Sequence, residues 1–195
     1  MTTIPRTLAI VTAFTVLPTI ADAHPGHDGF GFAHGFAHPL LGLDHVLAML
    51  AVGLWAAQLG GRARWIVPAS FIGAMSLGGA LGAMGFAVPF VEQGILASLM
   101  ILGVLIASAA RLPLSFGAGL IGLFAVFHGF AHASEMPGSD SAAEYGAGFL
   151  FATALLHLTG IAAGSLAQSF ARTAALRAAG GAIALAGVFL GFQIL

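Results

Sequence analysis

His128, His132 and Glu135 stand at i, i+4 and i+7 in Phe127-His128-Gly129-Phe130-Ala131-His132-Ala133-Ser134-Glu135. That spacing puts all three side chains on one face of a helix. Two imidazoles one turn apart can reach a single metal ion, and a carboxylate a turn later adds an oxygen donor and negative charge. Alone, the pair could equally be two hydrogen-bonded core histidines. A second group makes the metal reading stronger. In His34-Gly-Phe-Ala-His38-Pro39-Leu-Leu-Gly42-Leu-Asp44-His45, the side chains of His34, His38 and His45 project within roughly 40° of one another on an ideal helix. Asp44 points about 80° away from His38 on that geometry. It joins the stripe only if the backbone leaves the regular helix, and Pro39 and Gly42 supply a reason for it to do so. The chain has no Cys, so imidazole and carboxylate are its only strong metal donors, a set suited to borderline divalent ions.

These groups sit in a chain that has too little polar side-chain surface to coat a water-soluble globule. Of its 195 residues, 59% are hydrophobic and 7% charged, with a mean hydropathy of +1.02; such a composition belongs in lipid. The net charge of −1 and the absence of a Lys/Arg run leave no footprint for nucleic acid and no polybasic patch. Arg6, the apolar stretch from Leu8 to Ile20, and Ala21-Asp22-Ala23 read as a cleavable signal peptide over 1–23. A His-containing segment follows at 24–34, then a transmembrane domain at 35–195.

Six apolar stretches fall at about 35–59, 66–86, 92–110, 114–132, 144–168 and 178–195, each near the ~20 residues that a membrane-crossing helix needs. They are Ala/Leu/Gly-rich without the alternation of a barrel, so the expected fold is an all-α integral membrane bundle of six transmembrane helices. Arg62 and Arg64, Arg111, and Arg172 with Arg177 occupy the three loops of one side, whereas Glu92, Glu135, Asp140 and Glu144 lie at the other. The positive-inside rule makes the Arg side cytoplasmic and puts both mature termini outside. The start of span 1 and the end of span 4 then lie in the same outer half, so the two ligand groups can face each other. Four imidazoles and two carboxylates meeting in low dielectric would repel or strand their charges unless a cation neutralised them.

Several other features carry less chemistry. The 28 glycines include small-xxx-small spacings such as Gly78 and Gly82, the mark of close helix packing; none is followed by a phosphate-loop sequence. His-Gly-Phe-Ala-His occurs at both 34–38 and 128–132. The first copy opens its span and the second closes its own, which is shared ligand chemistry rather than an inverted repeat. His157 sits nearer the middle of its span, as a lower station on an ion path or a satisfied core histidine. Met49 follows His45 by four residues and offers a weak thioether donor. His24 and His27 could capture metal outside or belong to a solvated tail.

At His38-Pro39-Leu-Leu-Gly42-Leu-Asp44-His45-Val-Leu-Ala-Met49 the sequence resembles the HupE/UreJ family of bacterial membrane proteins, described as nickel or cobalt permeases. The family pattern HPxxGxDHxxxM is met in full. Its second pattern, HGxAHGxE, is met by His128 to Glu135 except that Ala133 replaces Gly, which changes backbone freedom and not a ligand. The likeness also covers the leader, the six spans and the Ala-Thr-Ala-Leu-Leu-His-Leu-Thr-Gly of span 5. It implies uptake of Ni²⁺ or Co²⁺ from the periplasm across the bacterial inner membrane. The ion would be cargo, with no prosthetic group.

A charged ion cannot cross hydrocarbon unaided, and the chain shows no ATP-binding segment and no sign of an ATPase partner, which points to a secondary permease or channel-like facilitator. The metal ion and the membrane lipid are the expected partners. The runner-up is an intramembrane metal hydrolase, with three imidazoles on a metal and Glu135 or Asp44 as general base; its mark would be a lipid-sized cavity and an open water position. A haem protein with axial histidines is third.

Overall fold

A computed structural model describes residues 31–136 and 141–194 of the chain. The expected leader and His24 and His27 lie outside the described residues. Seven helices account for nearly everything that is described: α1 (Gly31–Leu41), α2 (Leu43–Leu59), α3 (Ala63–Ala83), α4 (Val91–Ser108), α5 (Leu114–Ser134), α6 (Ala142–Ser169) and α7 (Thr173–Ile194), with no strand among them. In hydrocarbon a backbone N–H or C=O has no water to turn to, so an apolar segment must satisfy its own hydrogen bonds as a helix. The helices α3 to α7 are long and apolar enough to cross a membrane, and α1 with α2 makes a sixth span if the bent pair is counted as one. Large apolar side chains such as Leu77, Leu123, Phe151, Leu185 and Phe192 are exposed on the outside of the bundle, where lipid would cover them.

The first span departs from a simple helix where its residues said it should. Pro39 lies inside α1 and has no N–H to bond backwards. Three residues later the chain breaks at Gly42, which is extended (φ −94°, ψ 118°). There α1 and α2 meet at 85°, far from the straight rod on which His34, His38 and His45 would line up.

Packing is organised in pairs. Both α1 and α2 lie against α6, α3 lies along α5, and α4 along α7. Glycine lets these backbones touch: a Cβ on Gly129 of α5 would collide with the Met75 carbonyl of α3, and one on Gly148 of α6 with the Phe32 carbonyl of α1. Where lipid is as apolar as the side chains, close contact of this kind is what holds helices together. The two helices that carry His45, His128 and His132, α2 and α5, belong to different pairs and share almost no close backbone contact. Between their pairs, Trp55, Phe71, Met75, Leu99, Leu102 and Ile121 form a sealed apolar core.

Replacing Gly129 by Leu should force α3 and α5 apart and lower stability by about 1–3 kcal/mol, the usual cost of overpacking. Gly119→Leu on the same helix, where a Cβ meets nothing within 4 Å, should leave the melting temperature of the detergent-solubilised chain unchanged.

Candidate metal centre

The break at Gly42 brings the two halves of the site together. Imidazoles from α1 (His38) and α2 (His45) meet those of α5 (His128 and His132), with Glu135 just past the α5 C-terminus. Ring centroids are 4.2 Å apart for His45 and His132, 4.9 Å for His38 and His132, and 5.1 Å for His45 and His128. The donors form two groups, each with its ligand atoms within 4.8 Å of one another: His45, His128 and His132, all buried, and His38, His132 and Glu135, of which His38 is half-buried and Glu135 exposed. Exposure grades along the site, from 51% at the Glu135 side chain to none at His128.

The hydrogen bonds fix which nitrogen of His45 and of His128 is free. Asp44 Oδ1 lies 2.9 Å from His45 Nδ1 and also accepts from the His45 backbone N–H at 2.9 Å. A carboxylate only accepts, so Nδ1 carries the proton and Nε2 the lone pair. That Nε2 is buried with no hydrogen-bond partner. At His128 the roles of the nitrogens are exchanged. The Ser98 hydroxyl gives its proton to the Ile95 carbonyl at 2.6 Å, so Ser98 Oγ accepts from His128 Nε2–H at 3.1 Å. The lone pair of His128 is then on Nδ1, which is also buried and unpartnered. Both nitrogens of His132 are buried without a hydrogen bond, Nδ1 standing 3.8 Å from Glu135 Oε2. Buried polar atoms left unmet are costly, and no hydrogen bond within the protein reaches His45 Nε2, His128 Nδ1 or either nitrogen of His132. A divalent cation would meet all three. The residues present therefore fit a metal ion by donor type, spacing and protonation.

Each described residue that the sequence singled out has a definite place. His38, His45, His128, His132 and Glu135 are brought together; His38 Nε2 lies 2.9 Å from Glu135 Oε2. Asp44 is turned onto His45, not into either ligand group. His34 is exposed on α1, one turn before His38, and belongs to neither group. His157 is buried in α6, with Nδ1–H donating to the Met49 carbonyl at 2.8 Å and Nε2 unpartnered. Met49 thus meets His157 through its backbone. Ser98, Phe71 and Phe149 were not legible beforehand: Phe71 packs against both His128 (5.5 Å) and His157 (5.0 Å), and Phe149 against His132 (4.0 Å). A lone Ser or Phe in an apolar span gives no sign that it touches a ligand.

An apolar cavity of about 360 Å³ opens beside His132, along the seam between α3, α5 and α6, with Met75, Met136, Tyr145 and Phe149 on its walls.

The family model for HupE / UreJ proteins matches residues 12–190. A curated relative, Protein HupE of Rhizobium leguminosarum bv. viciae, is 47% identical over 178 residues, which is 91% of this chain and 93% of the relative. The chain belongs to the HupE/UreJ family. No solved structure matches it. As a HupE/UreJ member it is a multi-pass helical membrane protein, and the two histidine-rich motifs at 38–49 and 128–135 are the segments that its fold brings face to face.

Asp44→Asn tests the role that the geometry gives that residue. As an outer partner of a ligand its loss should weaken Co²⁺ affinity about 10–100-fold without abolishing binding; isothermal titration of the solubilised protein reads the difference. Complete loss would make Asp44 a ligand.

Proposed function

We propose that this chain is a permease that carries a divalent transition metal, nickel or cobalt, from the periplasm to the cytoplasm across the bacterial inner membrane. The observation that carries the reading is the set of buried imidazole lone pairs at His45, His128 and His132, which no protein group meets. Helix direction supports the side of entry. The ligand-bearing ends are the start of α2 and the end of α5, whereas Arg62 and Arg111 lie at the other ends of those helices, and a basic loop faces the cytoplasm. Both mature termini are then periplasmic, and an ion arriving from the periplasm meets Glu135 and His38 first.

The chemistry of each residue follows from its place. Glu135 and His38 attract the hydrated cation and replace part of its water; His132, His45 and His128 supply imidazole nitrogen at greater depth. Asp44 and Ser98 hold the tautomers that present a lone pair rather than an N–H. Further in, His157 offers its Nε2 as the next station, with Met49 beside it and Phe71 between His157 and His128. His24 and His27, ahead of α1, and His34 on its exposed face would collect metal outside. An inside-negative potential favours entry by about 2.3 kcal/mol per charge per 100 mV, twice that for a divalent ion, so no ATP is needed.

The apolar cavity beside His132 is the one observation on the side of a metal hydrolase, since it could take a lipid-like substrate. Both carboxylates, however, are held by imidazoles, Asp44 by His45 and Glu135 by His38, and neither stands free as a general base. Transport uses the same groups without that requirement.

Cells expressing the chain should accumulate radiolabelled Ni²⁺ or Co²⁺, with Zn²⁺ and Mn²⁺ as competitors, and His38→Ala and Glu135→Gln should lower accumulation at least tenfold. Uptake equal to wild type in both variants would sink the reading. Uptake should also fall as the medium is acidified, because protons and metal compete for the same imidazole lone pairs.

A further inference from the structure

His132 is the only residue common to both ligand groups, and its position suggests a function that neither group has alone. One group is His38, His132 and Glu135, and the other is His45, His128 and His132. The His132 ring is edge-on to His38 at 4.9 Å and tilted over His45 at 4.2 Å, with both ring nitrogens free of hydrogen bonds. The neighbouring ligands are tethered. His45 is held by Asp44, His128 by Ser98, and His38 with Glu135 by each other. Of the five, His132 alone has no side-chain partner that fixes it within hydrogen-bond distance, while the Phe149 ring at 4.0 Å gives it an apolar wall to lie against.

We infer that the site is two sequential stations for one divalent cation, and that His132 stays on the ion as it passes from the first to the second. This rests on the permease reading above. At the outer station the ion meets two imidazoles and the Glu135 carboxylate, half exposed, so it keeps part of its water. At the inner station it meets three imidazoles and no carboxylate in direct reach, all buried. The exchange breaks the bonds to Glu135 and His38 and forms those to His45 Nε2 and His128 Nδ1; no electron moves, and at the half-exposed outer station water returns a proton to His38 Nε2 as its hydrogen bond to Glu135 closes again. Because one bond is never released, the ion is not required to pass bare through a low-dielectric gap, which would be costly. Two divalent ions sharing a single imidazole would repel each other strongly, so the stations fill in turn and not together. The inner set also has the greater selectivity, since an all-imidazole site favours borderline metals over Mg²⁺ or Mn²⁺, whereas a mixed oxygen site is more tolerant.

The test uses the full chain, purified in detergent for binding and reconstituted in liposomes for flux, with Co²⁺ as the probe. Equilibrium dialysis should find one Co²⁺ per wild-type chain. Glu135→Gln, which leaves the inner station, should keep one ion with the intense visible absorption of low-coordinate cobalt and tenfold or more preference over Mn²⁺. His128→Ala, which leaves the outer station, should also keep one ion, with the weak absorption of a hydrated, higher-coordinate ion and little preference over Mn²⁺. His132→Asn should lose both, and a melting temperature near wild type shows that it is folded. His45→Ala serves as a second inner-station variant should His128→Ala not fold. If Glu135→Gln and the inner-station variant each abolish binding, the site is a single composite one and the hand-off is overturned. Two ions on the wild type, or wild-type binding by folded His132→Asn, also overturn it. Flux distinguishes the levels: wild-type Co²⁺ entry with a single composite site leaves the permease reading standing, and no entry overturns that reading together with the hand-off.

Discussion

An imidazole nitrogen that carries a lone pair, is sealed from water and has no donor to meet it is the constraint around which this protein is arranged. His45, His128 and His132 each present one. In an ordinary core such groups would be paired or absent, because an unmet buried polar atom costs about 1–3 kcal/mol. Here their partners act on the far side of each ring. Asp44 and Ser98 take up the N–H and so direct the lone pair inward, an arrangement that makes sense for a ligand and serves no purpose for a packing residue.

Holding those rings at a fixed separation falls to the helix pairs. One ligand set belongs to α1 and α2, which are packed on α6, and the other to α5, which is packed on α3. Glycine-mediated backbone contact makes each pair stiff. Across the seam the contact is mainly side chain, and the seam carries the apolar cavity beside His132. An ion bound there would tie α2 directly to α5, two helices that share almost no close backbone contact. Below the site, Trp55, Leu99 and Leu102 close the bundle, so ligand exposure decreases steadily in one direction.

Much of this could be read from the residues, for identifiable reasons. Ionisable side chains are so costly in an apolar helix that their positions stand out, and the i, i+4, i+7 spacing on α5 needed only helical geometry. Pro39 and Gly42 announced a break. Its angle was not legible, because it depends on how α1 docks against α6 through Gly35 and Gly148. For that reason Asp44, expected among the ligands, is turned onto His45 Nδ1, and His34, expected on the stripe, belongs to neither ligand group. The pairing of the helices was also hidden: Gly78 and Gly82 marked a close-packed face on α3 without naming α5 as its partner. Ser98 could not be distinguished from any serine that bonds back to its own helix, which it also does.

Crystals of the full chain grown with Co²⁺, measured at the cobalt absorption edge, would show whether a metal ion sits where these lone pairs converge. An anomalous peak is expected about 2.1 Å from His45 Nε2 and His128 Nδ1, with Asp44 still on His45 Nδ1. A well-ordered map with no peak among these rings, or with cobalt on the opposite nitrogens, would contradict it.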